Sequence, residues 1–334
     1  MSTIADVAAR AGVSKATASR ALSGHGYVSA DARDRVAAAA RALSYVAHSS
    51  ATSLATGRTR TVAVIVPSTG RWFVSELLAG AQEALLENDY DLTLFAVAED
   101  SPARGHVFDA LLPRRRFDGI IAVGIAPESR EMEMLLRLDR PIVGVGPPSA
   151  AVNAVAIDDV AAARIATEHL IDLGHTEIAF IGGSPLTQAP AFGDARRLEG
   201  YRSAMDAAGL DGQSRVSPAT GTMPGGYEAA VDVLGNRRTR PTAVVGVCDE
   251  VAIGAIIAAR RLGIAVPTDL SVVGIDDHQH AEMFALTTIR QQPREQGRAA
   301  VRQLLHQLDD PDAPREHVVA ASALVVRNSS ASLR

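Results

Sequence analysis

Lys15, Ala16, Thr17, Ser19 and Arg20 have the side chains and the spacing to read a nucleic-acid groove. At 3.6 residues per turn they share the outward face of a short helix over 14–22, with Val13, Ala18 and Leu22 turned inward. The face is small and polar with cationic ends, so it can enter a groove and set basic groups against phosphates or base edges. Nothing comparable serves bond-making chemistry. The sequence has no Gly-x-Ser-x-Gly elbow, no Gly-x-Gly-x-x-Gly after the first strand and no Walker loop. Asp276-Asp277-His278-Gln279-His280 mixes oxygen and nitrogen ligands, but no second cluster supports a metal, and the run reads as a surface loop. No nucleophile, base, metal or cofactor site is visible, so the chain is not expected to be an enzyme.

The helix with that polar face needs a rigid neighbour. Thr3 is placed to cap a first helix, with Asp6 completing a capping box, and Ile4, Val7, Ala8 and Ala11 share its apolar face. Gly12 supplies the left-handed turn and Ser14 caps the second helix, giving a helix-turn-helix. After a Gly-rich loop, Ser29 caps a third helix with Val36, Ala40 and Leu43 as its stripe. By itself this favours a DNA-binding unit only modestly over an ordinary helical hairpin. The charge distribution favours a phosphate partner: residues 1–60 hold eight basic groups against three acidic ones, a net +5, whereas the remainder holds 25 against 35, a net −10. Lys15 is the only lysine in the chain.

From Thr61 the pattern changes to strands alternating with helices. Strands are expected at 61–66, 91–97, 118–123 and 141–145, with helices at 73–88, 104–112 and 128–138 between them. A second series has strands at 154–157, 177–182, 242–247 and 270–275 with helices at 159–173, 194–208, 224–236 and 249–262. This predicts an α/β body of two Rossmann-like lobes with parallel sheets and a cleft at the strand C-ends. Segments 285–290, 294–308 and 317–326 read strand, helix, strand, and pattern alone assigns them to neither lobe. A single cysteine, Cys248, and the lack of a signal-like N-terminus or a membrane-length apolar run lead us to expect a cytoplasmic protein without a membrane partner.

The chain resembles the lactose-repressor (LacI/GalR) family of bacterial transcription regulators. The motifs are Asp6-Val7-Ala8 through Ser19-Arg20, Gly26-Tyr27-Val28-Ser29, Ser53 to Thr59, Glu168 to His175, Ile178 to Gly183, Arg197 to Tyr201, Val266 to Asp277 and Leu286 to Gln291. The resemblance implies a helix-turn-helix head over 1–47, a hinge over 48–60 and an effector-binding and dimerisation body over 61–334. Within that body, which resembles periplasmic sugar-binding proteins, the N-lobe would comprise about 61–156 and 290–317, and the C-lobe about 157–289 and 318–330. It implies a homodimer on a near-palindromic double-stranded DNA operator, acting as a repressor under the control of a carbohydrate or derivative. Lys15, Ala16 and Arg20 would meet bases; Thr3, Ser14, Thr17, Ser19, His25 and Tyr27 belong to the same DNA-facing set, and Leu54 would wedge into the minor groove. Ala47, His48 and Thr52 stand where the family commonly has Pro, Asn and Arg, which weakens the expected minor-groove attraction. With no heptad helix after Ser329, a dimer rather than a tetramer is expected.

Cleft candidates follow from the same resemblance. Trp72 and Phe73 offer a stacking face for a sugar ring, the alternative being core or interface aromatics. Arg71 replaces the usual Pro and would favour an acidic or phosphorylated ligand, unless it is simply solvated. One of Arg196 and Arg197 would reach ligand hydroxyls; Asp249 and, above all, Asp276 would accept hydrogen bonds from them, with Cys248 altering the pocket's polarity. A solute-binding protein and an α/β enzyme such as a sugar kinase or nucleosidase remain the competing classes, which DNA binding and ligand turnover discriminate.

Overall fold

The computed structural model describes residues 2–23, 26–45, 58–98, 101–125, 129–146, 148–183 and 193–333. They fall into two compact units, Met1–Thr61 with Arg116–Asp118, and Val62–Arg115 with Gly119–Arg334. His25, Leu54 and the hinge residues Ala47, His48 and Thr52 lie outside the described residues.

In the first unit α1 (Ile4–Ala11), α2 (Lys15–Ser23) and α3 (Ala30–Ala42) form a small helical cluster. Local chemistry fixes its turns. The Thr3 hydroxyl accepts the Asp6 N–H while the Asp6 carboxylate accepts the Thr3 N–H at 2.7 Å, a reciprocal pairing that also holds Asp6 below the usual carboxylate range. Gly12 ends α1 at φ +65° and returns its N–H to the carbonyls of Ala8 and Ala9. The Ser14 hydroxyl takes the Thr17 N–H at 3.1 Å and opens α2. Val7, Ala18 and Val36 are fully buried where the three helices meet. Within the same unit the Asp118 carboxylate gathers the N–H groups of Thr59 and Arg60.

The second unit is built on two six-stranded sheets. The first has the order β11-β5-β4-β3-β1-β2, using β1 (Thr61–Val66), β2 (Asp91–Ala96), β3 (Gly119–Val123), β4 (Ile142–Val145), β5 (Asn153–Ala156) and β11 (His317–Val319). The second has the order β12-β10-β9-β8-β6-β7, using β6 (Ile178–Ile181), β7 (Arg215–Ser217), β8 (Ala243–Gly246), β9 (Ser271–Asp276), β10 (Thr287–Arg290) and β12 (Ala323–Val325). Its strands pair in parallel except at β12, which runs antiparallel to β10. The helices used below are α4 (Trp72–Glu87), α5 (Pro102–His106), α6 (Arg130–Leu136), α7 (Asp159–Asp172), α8 (Asp194–Ala207), α9 (Met223–Gly235), α10 (Asp249–Arg261) and α11 (Pro293–Asp309). β1, β3, β6 and β8 carry unbroken apolar runs because they are covered on both faces.

Three local differences from the sequence reading have physical causes. The helix expected over 104–112 is α5 followed by a π-helical turn, Val107–Leu111, and a 3-10 turn, Leu112–Arg114; Pro113 has no N–H with which to extend the α-helical ladder. β7 is a three-residue edge strand, too short to leave a periodic signal. The single strand expected over 317–326 is two: β11 pairs with β5 in the first sheet and β12 with β10 in the second.

α11 lies against α4, and glycine lets the two backbones meet. A Cβ at Gly80 would run into the Arg294 carbonyl, and one at Gly297 into the Leu77 carbonyl. Four surface ion pairs from Arg294 and Arg298 to Glu76, Glu83 and Glu87 border the contact but contribute little individually. Gly80→Ala and Gly297→Ala should each cost about 1–3 kcal/mol in urea unfolding through forced overpacking. Leu86→Ala, at a position 60% exposed, should change stability by less than about 0.5 kcal/mol.

Candidate functional site

The carboxyl ends of both sheets face a polar cavity that is partly open to solvent. Arg71, Phe73 and Val74 enter it from the start of α4, and Val145 from the end of β4. Asp159, Asp194, Arg197 and Asp276 enter from α7, α8 and β9. Gln291 and Gln296 complete the polar lining.

Arg197 is the centre of this arrangement. It is 5% exposed; its Nε donates to Asp159 Oδ1 at 2.8 Å, its Nη1 donates to the Val247 carbonyl at 2.7 Å, and the same nitrogen lies 3.7 Å from Asp276 Oδ1. The start of α8 permits this, since Gly193 sits at φ +84° and a Cβ there would strike the Asp159 carboxylate. Asp276 closes β9 at φ +139°, a strained backbone for a residue other than glycine. Gln291 Nε2 donates to its Oδ1 at 2.6 Å, and Gln296 Nε2 donates in turn to Gln291 Oε1 at 2.9 Å. Burial nevertheless outweighs these partners and pushes Asp276 up to about 6. Asp194 is also pushed up to about 6 by burial, against the pull of Arg197 and Arg71.

The other residues named from sequence go to different places. Arg71 lines the cavity and is not simply solvated: its Nε donates to Glu250 Oε2 at 2.7 Å, and its Nη2 lies 3.5 Å from Cys248 Sγ. Cys248 does not line the cavity, and burial pushes its thiol up to about 12, so it stays neutral. Arg196 is exposed and is not among the residues lining the cavity that Arg197 enters. Phe73 lines the cavity, but Trp72 packs its ring 4.9 Å from that of His278. The Trp72 indole N–H is buried without a partner among the described residues. Asp249 is fully buried and does not line the cavity; it accepts the His278 N–H at 2.8 Å and the Thr288 hydroxyl at 2.6 Å, and burial followed by the nearby Asp276 pushes it up to about 8.

The expected surface loop 276–280 is a correction. Asp276 and His278 are buried, and Asp277 is held between Arg290 and Arg327, so within the run only Gln279 is well exposed. The sequence reading also passed over Asp159, Asp194, Gln291 and Gln296. The two aspartates each open a helix whose preceding strand ends at the cleft, and that shared position is the signal that could have found them.

Ser14, just before α2, and Lys15, Ala16, Ser19 and Arg20 on it face solvent, whereas Thr17 is half-buried and hydrogen-bonds the Ser14 hydroxyl at 2.8 Å. Thr3 is exposed and engaged in its capping box, and Tyr27 is 92% exposed.

A carboxylate with a raised folded-state pKa destabilises the protein as pH rises through that value. Asp194→Asn should therefore be more stable than the parent at pH 7–8. The gain should shrink as pH falls through about 6 toward 4, as thermal unfolding across that range will show.

Residues 3–48 match the family described as bacterial regulatory proteins, lacI family, and residues 167–330 match a periplasmic binding protein-like domain. The ribose operon repressor of Escherichia coli K12 is 31% identical over 340 residues, covering 99% of this chain and all of that protein. The lac repressor dimer bound to operator and the anti-inducer ONPF superposes with a TM-score of 0.87 at 25% identity, covering 99% of each chain. A LacI family regulator from Enterococcus faecium with bound ribose matches with a TM-score of 0.73 at 26% identity, covering 82% of this chain and all of that one. A whole-length relative above 30% identity, a matching head and two parallel-sheet lobes at the strand ends of which a polar cavity lies together show that this chain belongs to the LacI family of bacterial regulatory proteins.

Proposed function

We propose that this protein is a cytoplasmic, homodimeric transcriptional repressor whose hold on a near-palindromic operator is set by a small sugar-like effector in the cleft. The observation that carries this reading is the pairing, in one chain, of a solvent-facing α2 bearing Lys15 and Arg20 with a buried Arg–Asp–Gln cavity. In this reading residues 1–47 bind DNA, 48–60 form the hinge and 61–334 bind effector and partner subunit. The similarity to a ribose operon repressor and to a ribose-bound relative supports the carbohydrate class.

Lys15, Ala16 and Arg20 address base edges from the exposed face of α2. An arginine that grips guanine with two hydrogen bonds discriminates by about 1–3 kcal/mol. Ser14, Thr17 and Thr3 have part of their hydrogen-bonding capacity committed to helix caps, which suits groups that set position against phosphates rather than read sequence. Ser19, His25 and Tyr27 join them, and Leu54 enters the minor groove. In the cleft, Asp276 and Arg197 hold ligand hydroxyls while Phe73 gives the ring an apolar face. Effector controls DNA affinity only through a difference in its own affinity for the two states of the body.

Band-shift titrations against the upstream region of the protein's own gene test the reading, with binding expected to weaken steeply with salt. Arg20→Ala should lower the preference for operator over random DNA by about ten- to one-hundred-fold. Asp276→Ala should retain DNA binding and blunt the effector response. Exchanged phenotypes, or no sequence preference at any salt, would overturn the proposal.

A further inference from the structure

We propose that the effector carries a protonated amine beside its hydroxyls, and that Asp194 is the residue that selects it. The inference rests on the cleft being the effector site. Its first support is the balance of charge. Asp159, Asp194 and Asp276 line the cavity with two guanidiniums, Arg71 and Arg197. Arg71 is committed to Glu250 at 2.7 Å, with the two side chains only 20% and 14% exposed. Arg197 sits among the three carboxylates, pairing with Asp159 at 2.8 Å and lying 3.7 Å from Asp276. With Glu250 counted, four carboxylates meet two guanidiniums, and a surplus of two negative charges surrounds the space a ligand enters.

The second support is how the acceptors are used. Asp159 and Asp276 each accept a hydrogen bond from the protein, whereas Asp194 accepts none from the described residues. Asp194 thus presents an open acceptor to the cavity. A carboxylate with no hydrogen-bond donor of its own is costly to bury, and a ligand that brings both donors and charge removes that cost. An anionic ligand, such as a sugar phosphate or a uronic acid, would add to the surplus. A neutral polyol could satisfy the acceptors but would leave the charge in place. An ammonium group does both, because charge-assisted hydrogen bonds to carboxylate are the stronger kind. The Phe73 ring in the same cavity offers a face to the ligand's carbon skeleton or cation.

The test is calorimetric binding to the full-length protein of matched sets: glucosamine, galactosamine and mannosamine, their neutral parent hexoses, and the corresponding 6-phosphates and uronic acids. An amino sugar should bind at least ten-fold more tightly than its neutral parent, and the anionic members should not bind. Asp194→Asn, verified as folded by its retained operator binding, should bring the amino-to-neutral affinity ratio close to one. Tighter binding of a neutral or anionic member, an unchanged ratio in Asp194→Asn, or no binding across the amino set would overturn the inference. A neutral hexose that bound preferentially and shifted operator affinity would leave the repressor reading standing and sink only this one. Operator binding that no effector moves would instead sink the repressor reading.

Discussion

The Arg197 guanidinium is buried among the carboxylates of the cleft, and several elements are placed by it. Its hydrogen bonds reach Asp159 at the start of α7 and the Val247 carbonyl just past β8, while Asp276 at the end of β9 lies within ion-pair distance. Burying such a charge costs several kcal/mol of desolvation, which only good geometry and full hydrogen bonding offset. The network continues from Asp276 through Gln291 to Gln296 on α11, the helix that packs on α4. The polar lining thus joins groups from the second sheet to a helix of the first layer. A shift in the electrostatics around Arg197 therefore bears on both sides of the cleft.

The helical head works under a different constraint. Its core is made largely of alanine and valine, and a cluster this small gains little from burial. Much of its order comes from short-range devices: the Thr3–Asp6 box, the Gly12 turn and the Ser14 cap. The Arg35 guanidinium adds a bond to the Ala11 carbonyl at the end of α1. Those devices leave the outer face of α2 clear of packing duties. Its polar side chains can then serve recognition without weakening the core.

What could be read in advance follows from the range of the forces involved. Caps, the left-handed Gly12 and the alternation of apolar strands with helices are set by neighbours within a few residues, and the sequence shows them directly. The strand-end position of Asp276 was visible for the same reason; Arg197 lies in the first turn of α8, and only one of Arg196 and Arg197 was expected in the cleft. The partner of Arg71 was not, because Glu250 is 179 residues away and no local pattern announces it. Residue identity offered Arg71 either an anionic ligand or solvent, whereas its partner is a largely buried carboxylate that neutralises it. Asp249 shows the same limit: it follows β8 toward the cleft, as Asp276 ends β9 there, but it spends both oxygens holding the His278 N–H and the Thr288 hydroxyl. The β11 and β12 strands read as one because the switch between sheets takes only three residues, Ala320 to Ser322.

That threading has a consequence for how the protein is made. The first sheet gains α11 and its edge strand β11 only from residues 293–319, after nearly the whole second sheet has been laid down. A ribosome emitting this chain from its amino end releases β1 to β5 long before the helix that covers them. In that interval Leu77, Ala81 and Ile121 lack the α11 side of their packing, and the edge of β5 lacks β11. The nascent chain is consequently most exposed to mispairing and to chaperone capture in the middle of synthesis, and it becomes self-sufficient only in its last few dozen residues.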